Sequence, residues 1–494
     1  MKKGLLLILD GYGEAPKSKF NAVTNANTPY LNYLRKTYPS SLVYTDGRSV
    51  GLPAGAMGGS EVGHTTIGAG RIIKTTTVKI DDEIESGEFF KHKELVDAFI
   101  KLNSNNGALH IAGLFSDKQI HSDLNHAFAL IKLAKMYNID RVFFHAFTDG
   151  RDCAQNASFE YLEKFNRAVS VIGVGEIATV GGRFYAMDRE GNFERTNQAL
   201  DIMQKVDYDF NSAYECLNNS HDKGVSDEFV VPSRIKTNKD YTFNSNDLFV
   251  FYNFRADRMK QPVKVLNDKN IMDIITFCDF AKGERISYIY HDEDITGTLS
   301  EYLSSQGLKQ LKVSESTKYA HVTYFLNGGR EQPFYGEDRI HIETEKTADF
   351  ALTPNMRAGE IASSTIEALT SNKYDAVIVN FSNPDMIGHT GNYEATIQAL
   401  EFLDKCVEDV VKTALDNNYF VLLTADHGNA EEMRDSNGNI QTAHSLNPVI
   451  CMTIDKTKHD MLQYGGLKDI APTFIHLMGL NPNPKFEGDI LVKH

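Results

Sequence analysis

Short, unbroken apolar runs recur along the chain, separated by longer stretches in which apolar residues return every three or four positions. The runs are "LLLIL" 5–9, "ALHIAGLF" 108–115, "RVFFHAF" 141–147, "LFVFYNF" 248–254, "DAVIVNF" 375–381 and "YFVLLT" 419–424. Their lack of polar alternation predicts strands buried on both faces, as in parallel sheets covered by helices. Between the last two runs, Ile397, Leu400, Leu403, Val407, Val410 and Ala414 mark one face of a long amphipathic helix. Strand–helix alternation of this kind predicts an α/β fold. At 494 residues the chain exceeds what one core supports, and about two to four domains are expected. No solenoid-length repeat or low-complexity tract interrupts the pattern.

In open α/β sheets ligands bind beyond the carboxyl ends of the strands. The corresponding positions are Asp10, "TDGRD" 148–152, "GGRFYAMDR" 181–189, "NFRADR" 253–258, "NPDMIGH" 383–389 and "ADHG" 425–428. Metal-type groups (Asp, His, Ser) fall near both chain ends, at 10–64 and 385–444. Arginines fall in the middle, at 151–258. This split predicts one domain inserted into another, with crossings near 71–80 and 285–300. Residues 1–75 and 297–494 are then a discontinuous metal-binding domain, and 76–296 an inserted substrate domain.

The charge of −15 and pI of about 5.5 leave no basic excess for phosphate backbones or anionic bilayers, which excludes non-specific binding to either. A local arginine cluster for a small anion is still compatible with them. The five cysteines are widely spaced with no C-x-x-C, which favours a reducing, cytoplasmic setting over a disulfide framework. The apolar run of "MKKGLLLILD" is broken by Asp10 and is too short for a secretory leader. No run approaches a membrane span.

Asp10, the Asp385-x-x-x-His389 pair, the adjacent Asp426 and His427, and His444 in "TAHS" are candidate ligands. Singly, each has a structural explanation, such as helix capping or a satisfied core histidine. At successive strand ends of one domain, the metal reading is the better one. Mixed carboxylate and imidazole donors suit Mn²⁺ or Zn²⁺, and six groups fit two ions. Ser60, in "GAMGGSEVGH" 55–64, could be a turn residue, part of a backbone phosphate cradle, or a nucleophile. The stretch lacks the G-x-S-x-G elbow, but two metal ions could activate the hydroxyl for in-line phosphoryl transfer. The flanking glycines would let backbone approach the phosphate. His64 fits no metal set and reads as structural.

Arg151, Arg183, Arg189, Arg255 and Arg258, with His121 and Lys318, make a second constellation. Guanidinium forks hold phosphate and carboxylate bidentately, so a substrate carrying both groups fits. Asp152 among these cations reads as a proton-transfer group.

Read in order, "LILDGYG", "MGGSEVGHTTIGAGR", "HAFTDGRD", "GGRFYAMDRE", "NFRADR", "KYAHVTYFLNGG", "NFSNPDMIGHTG", "LTADHGNAEEM" and "TAHSLNPV" resemble the cofactor-independent phosphoglycerate mutases of the alkaline phosphatase superfamily. The resemblance spans essentially the whole chain. It implies two α/β domains, a phosphatase-like metal domain interrupted by a transferase domain. It also implies interconversion of 3- and 2-phosphoglycerate through a phosphoserine on Ser60, without 2,3-bisphosphoglycerate. One Mn²⁺ would take Asp385, His389 and His444, and the other Asp10, Ser60, Asp426 and His427; Zn²⁺ and Co²⁺ are compatible. His121, Arg151, Asp152, Arg183, Arg189, Arg255, Arg258 and Lys318 would hold the glycerate, with Asp152 shuttling the proton. A cytoplasmic monomer is the family expectation. Closing one domain over the other would exclude water, with movement at the crossings.

Two stretches depart from the pattern. "KQIHSD" 118–123 stands where the family tends to have Gly-Gly-Val-His-Ser-His, and "ESTK" 315–318 where it has Glu-Thr-Glu-Lys. Neither departure has an assigned role. The rival readings are a metal-dependent phosphatase or phosphopentomutase-like enzyme on the same metal domain, and a metal-binding scaffold without chemistry.

Overall fold

A computed structural model describes residues 1–204, 207–283, 285–291, 294–435, 437–457 and 459–493. The chain divides into two compact units, Met1–Thr75 with Asp294–His494, and Thr76–Glu293.

The first unit is built on an eight-stranded sheet. Its order is Glu337–Ile342, Gln310–Glu315, Ala376–Phe381, Lys3–Leu9, Tyr419–Thr424, Val449–Ile454, Ser40–Tyr44 and Tyr464–Gly466. The strands from Glu337–Ile342 to Tyr419–Thr424 run parallel, and Val449–Ile454 turns antiparallel. Leu5, Leu6, Leu7, Ile8 and Leu9 are all 0% exposed, because the strand lies mid-sheet with both faces covered. Each such side chain contributes about 1.5–3 kcal/mol of transfer free energy. Helix Tyr393–Asp416 starts at Asn392, whose side chain accepts from Ala395 N, and buries Leu400, Leu403, Val407, Val410 and Ala414. Ile397 packs at the margin of that core.

The second unit carries a seven-stranded sheet ordered Ser233–Arg234, Glu176–Gly182, Val142–Thr148, Leu109–Phe115, Leu248–Phe251, Asp273–Cys278 and Ile286–Tyr290. All neighbours are parallel except the short first strand. The strand expected over 248–254 ends at Phe251. One more backbone bond follows, from Tyr252 N to Ala112 O (3.2 Å), and side chains then take over: Asn253 Oδ1 accepts from Leu114 N (3.0 Å) and Tyr252 OH donates to Leu114 O (2.6 Å).

The segments expected to be crossings carry regular structure. Helix Thr76–Ser86 begins within 71–80 and buries Val78 and Ile80, while strand Ile286–Tyr290 occupies the start of 285–300. The return to the first unit falls at Asp294 rather than at 297. Among the described residues no helix is long and apolar enough to cross a membrane, and all five cysteines are free.

Candidate active site

In the first unit, most candidate ligands lie just beyond a parallel strand or on a short helix, whereas His444 lies in the irregular segment before strand Val449–Ile454. Asp10 follows Leu9, Asp426 and His427 follow Thr424, Asp385 and His389 lie on and just past helix Asn383–Gly388, and Lys318 lies on helix Ser316–Ala320 after Glu315. Ser60 is the first residue of helix Ser60–Ala69, where the helix dipole favours an anion. Its Oγ is 2.9 Å from His427 Nε2 and 3.2 Å from Asp10 Oδ1, and it accepts from Lys318 Nζ at 2.6 Å.

Gly58 and Gly63 give clearance for a different reason than the sequence indicated. A Cβ at Gly58 would meet Thr45 O at 2.0 Å, and one at Gly63 would meet Asp426 O at 2.9 Å. The close approach at these two positions is to the protein's own backbone.

Hydrogen bonds to backbone carbonyls decide the histidine tautomers, because a carbonyl oxygen can only accept. Nδ1 of His389 donates to Thr442 O (2.7 Å), Nδ1 of His427 to Gly428 O (3.2 Å), and Nδ1 of His444 to Gly58 O (2.8 Å). All three rings therefore present Nε2 inward. The Nε2 atoms of His389 and His444 are 3.1 Å apart, and Asp385 Oδ1 lies 3.2 and 3.3 Å from them. Three lone-pair atoms converging in this way call for a proton or a cation between them. His427 Nε2 lies 3.5 Å from both Asp10 Oδ1 and Asp426 Oδ2.

His64 is different. Its Nδ1 donates to Ser60 O (2.9 Å), and its Nε2 accepts from Asn380 Nδ2 (3.0 Å). Asn380 Nδ2 also donates to Asp10 Oδ2 at 2.8 Å, which fixes the amide's orientation. Both ring nitrogens of His64 are thus committed, although the ring sits 3.3 Å from Asp426 Oδ2.

The electrostatics fit divalent ions. Asp10, Asp385 and Asp426 are fully or almost fully buried and face one buried cation, Lys318, whose Nζ is 2.8 Å from Asp10 Oδ1 and 2.6 Å from Asp385 Oδ2. Burial and the Asp426 charge raise the Asp10 pKa. Burial acts to raise Asp385 as well, but the His389 and His444 hydrogen bonds and Lys318 hold it well below the usual range. Asp426 is lowered against burial by His427 and His64. Lys318 is raised despite burial by Asp10 and Asp385. Three carboxylates against one ammonium leave an uncompensated negative charge in a buried space, which a dication would neutralise. The buried Asp426 Oδ2 has no hydrogen-bond partner, as expected of a ligand atom. Asp385, His389 and His444 form one candidate ligand group, Asp10, Asp385 and His427 another, and Asp10, His64 and Asp426 a third, so His64 does fall within a metal-type cluster although both its ring nitrogens are already hydrogen-bonded. A cavity of about 440 Å³, lined by Ser60, Lys318, Asp385, His389 and His444, opens beside them.

Sequence reasoning missed Asn429 and Glu431, both within "ADHGNAEEM". Asn429 Nδ2 donates to Asp385 Oδ1 (2.9 Å), and Glu431 Oε2 accepts from Asn429 N (2.9 Å) and Gly13 N (3.1 Å).

The second unit gathers the arginines at its own strand ends. A cavity of about 320 Å³ is lined by Arg151, Arg183, Arg189, Arg195, Arg258 and Phe184, among others. Arg183 is buried and donates from Nη1 to Asp149 Oδ1 (2.7 Å) and Asp152 Oδ2 (2.5 Å). Asp149 also accepts from the backbone N–H of Arg151 (3.3 Å) and Asp152 (3.1 Å), shaping the "DGRD" turn. Arg189 and Arg255 each lie 3.9 Å from Asp257. Burial lowers the Arg258 pKa, and the neighbouring Arg183, Arg189 and Arg151 add to that while Asp257 opposes it. His121 lies 3.7 Å from Asp152 Oδ2, and burial with Arg183 pushes it down to about 4, so it is neutral at pH 7. Asp149, Asp257 and Arg195 were not singled out from sequence, although the first two lie inside quoted motifs.

Lys318, grouped in sequence with the arginines, belongs to the first unit and touches Ser60. Only the fold distinguishes these two placements. Thr317, in the second departure, buries an Oγ1 without a hydrogen-bond partner, and nothing in the structure explains it.

The metalloenzyme superfamily matches residues 2–482. A 2,3-bisphosphoglycerate-independent phosphoglycerate mutase of Clostridium botulinum is 42% identical over 100% of this chain and 99% of its own. Its counterpart in Bacteroides thetaiotaomicron is 39% identical over 100% of both. A crystal structure of Leishmania mexicana phosphoglycerate mutase at low cobalt concentration aligns with TM-score 0.59 and 27% identity, covering 100% of this chain and 98% of that one.

Proposed function

The chain belongs to the 2,3-bisphosphoglycerate-independent phosphoglycerate mutases of the metalloenzyme superfamily, and from that premise we propose that Ser60 carries the phosphoryl group in transit. The enzyme is an isomerase that interconverts 3- and 2-phosphoglycerate without 2,3-bisphosphoglycerate and depends on divalent metal. The convergence of the His389 and His444 Nε2 atoms on Asp385, with Ser60 Oγ beside His427, is the observation that supports this reading most.

Asp385, His389 and His444 would hold one Mn²⁺, and Asp10, Ser60, Asp426 and His427 the other. When bound, the ions supply Lewis-acid neutralisation of the phosphoryl charge and favour ionisation of the serine hydroxyl. Ser60 Oγ, deprotonated before it attacks, forms its bond to phosphorus as the bond from phosphorus to the glycerate oxygen breaks, and that oxygen takes a proton from Asp152, which recovers one from the other hydroxyl when that hydroxyl attacks in turn. In the return half-reaction the other glycerate hydroxyl attacks phosphorus and Ser60 Oγ leaves. Lys318 Nζ, 2.6 Å from Ser60 Oγ, holds a phosphoryl oxygen. Arg151, Arg183, Arg189, Arg255, Arg258 and His121 hold the carboxylate and hydroxyls of the glycerate, and Asp152 moves the proton between the hydroxyls. The domain roles follow: 1–75 with the C-terminal part binds metal, and the inserted segment binds glycerate. A cytoplasmic monomer completes the proposal.

Peptide mass spectrometry of enzyme quenched during turnover tests it. A phosphoryl adduct on Ser60 that disappears after chelation is expected. An adduct on another residue, or release of free phosphate without 2-phosphoglycerate, would overturn it.

A further inference from the structure

The loop between strand Leu109–Phe115 and helix Leu124–Met136 presents His121, and it turns through Gln119 at φ 57°. This is the left-handed region, which residues other than glycine adopt only when their surroundings hold them there. The side chain of Gln119 provides that hold. Its Nε2 donates to Asp81 Oδ2 (3.1 Å) and to Asp123 Oδ2 (2.9 Å). The two N–H bonds of one amide thus join two carboxylates from different elements. Asp81 lies on helix Thr76–Ser86, and Asp123 caps helix Leu124–Met136 by accepting from Asn125 N at 2.8 Å.

The other oxygen of Asp81 lies 2.8 Å from Nε2 of the buried His126. The amide also separates two like charges. Burial raises the Asp123 pKa, and Asp81 adds to that rise while Gln119 opposes it.

From Gln119 the chain reaches His121 in two residues. The backbone there is held, since His121 O accepts from Phe254 N (2.9 Å) and Ser122 Oγ donates to Leu114 O (2.6 Å). The imidazole itself is held loosely. Its Nδ1 has no hydrogen-bond partner and lies 3.6 Å from Asp257 Oδ1, and its Nε2 is 3.7 Å from Asp152 Oδ2. A ring without a short bond of its own takes its direction from the backbone that carries it. "KQIHSD" departs at residues 118, 119 and 123 from the glycines and histidine of the pattern it resembles, and Gln119 and Asp123 are bonded to each other.

We propose that Gln119 is a positioning residue for His121, its amide bridging Asp81 and Asp123 so that the loop presents the imidazole to the glycerate. This rests on the reading of His121 as a glycerate-binding group.

Three variants test it in the metal-loaded, full-length enzyme. Gln119→Gly relieves the backbone and removes the bridge. A purely structural role for the side chain predicts a change in thermal stability alone, with wild-type kinetics. The proposal predicts a fall in kcat/KM of roughly 2- to 10-fold, carried mainly by KM, from the loss of one hydrogen-bonded bridge. Gln119→Glu sets a third carboxylate against Asp81 and Asp123. Polar groups beside the two carboxylates include His126, held on Asp81, and the Ser122 and Tyr252 hydroxyls, both given to Leu114 O. Its kcat/KM relative to wild type at the same pH is expected to rise as pH falls from about 8 to 6, since a protonated carboxyl can donate again.

Gln119→Gly within twofold of wild type, or a flat ratio for Gln119→Glu, would overturn the proposal. His121→Ala measures the underlying reading separately: wild-type kinetics there would overturn the role of His121 itself, whereas a loss in His121→Ala with none in the Gln119 variants would overturn only the proposal.

Discussion

Replacing Arg183 by methionine should destabilise the inserted unit and disable its substrate site together. The guanidinium is 2% exposed and bonds Asp149 (0% exposed) at 2.7 Å and Asp152 (19% exposed) at 2.5 Å. Removing one partner of a fully buried pair costs about 3–5 kcal/mol, because a charge is left buried and unpaired. Here Asp152 is partly solvated and Asp149 keeps two backbone N–H donors, so the lower end, about 3 kcal/mol, applies. For a domain of roughly 200 residues this lowers the unfolding midpoint by about 6–12 °C. Asp149→Asn in the same chain removes the stranded charge and should recover about 1–2 kcal/mol, which makes the pair non-additive. The chain has no tryptophan, so urea and thermal unfolding are best followed by far-UV circular dichroism. On the activity side, kcat/KM for 3-phosphoglycerate should fall at least about 100-fold, or roughly 2.7 kcal/mol of transition-state binding. An Arg183→Met protein within 1 kcal/mol of wild type, or a double variant no more stable than the single one, would refute the reasoning.

Stripping divalent metal should lower the melting temperature along with activity, because the Asp10, Asp385 and Asp426 charges then face Lys318 alone. Re-adding Mn²⁺ at about 100 times its Kd should restore roughly 2.7 kcal/mol, and a melting temperature indifferent to chelation would count against the ligand assignment. Lys318→Met should sharply reduce phosphoryl transfer to Ser60 while leaving glycerate binding by the isolated arginine site largely intact; equilibrium binding of glycerate that falls in parallel would return Lys318 to the arginine set. The buried pair His110 and His145, bonded Nδ1 to Nε2 at 3.1 Å, has depressed pKa values, chiefly from burial. The unfolded chain binds protons on these rings below about pH 6.5 while the folded one does not, so stability should fall as pH drops below that value, by up to about 1.4 kcal/mol per pH unit for each ring. His145→Gln should flatten that slope in urea titrations between pH 5 and 7, and an unchanged slope would show that the rings do not govern it.

Much of the site is legible in one dimension because the chemistry follows the apolar runs. A parallel strand covered on both faces is most often a continuous apolar run, and the first polar residues after such a run sit at the sheet's carboxyl edge. Asp10, Asp426, Arg183 and the "DGRD" turn could be located that way, and the division into metal-type and arginine-type ends reflects a chain that leaves one sheet and returns to it. Shorter or more polar strands such as Gln310–Glu315, which contains a buried Lys312, and Ile286–Tyr290 give no such signal.

Which nitrogen of each histidine faces inward was decided by the carbonyls of Thr442, Gly428 and Gly58, and no spacing encodes a hydrogen bond between residues 386 positions apart such as His444 and Gly58. Lys318 and the arginines look alike as cations in a row of letters, and only the return of the chain to the first sheet sets Lys318 against Ser60. Asp149 and Gln119 were invisible for the same reason, since each acts by holding groups that the fold brings to it. Residue types at strand ends are local properties and can be read along the chain, whereas tautomers, charge balance and loop direction depend on contacts that exist only once distant segments have packed together.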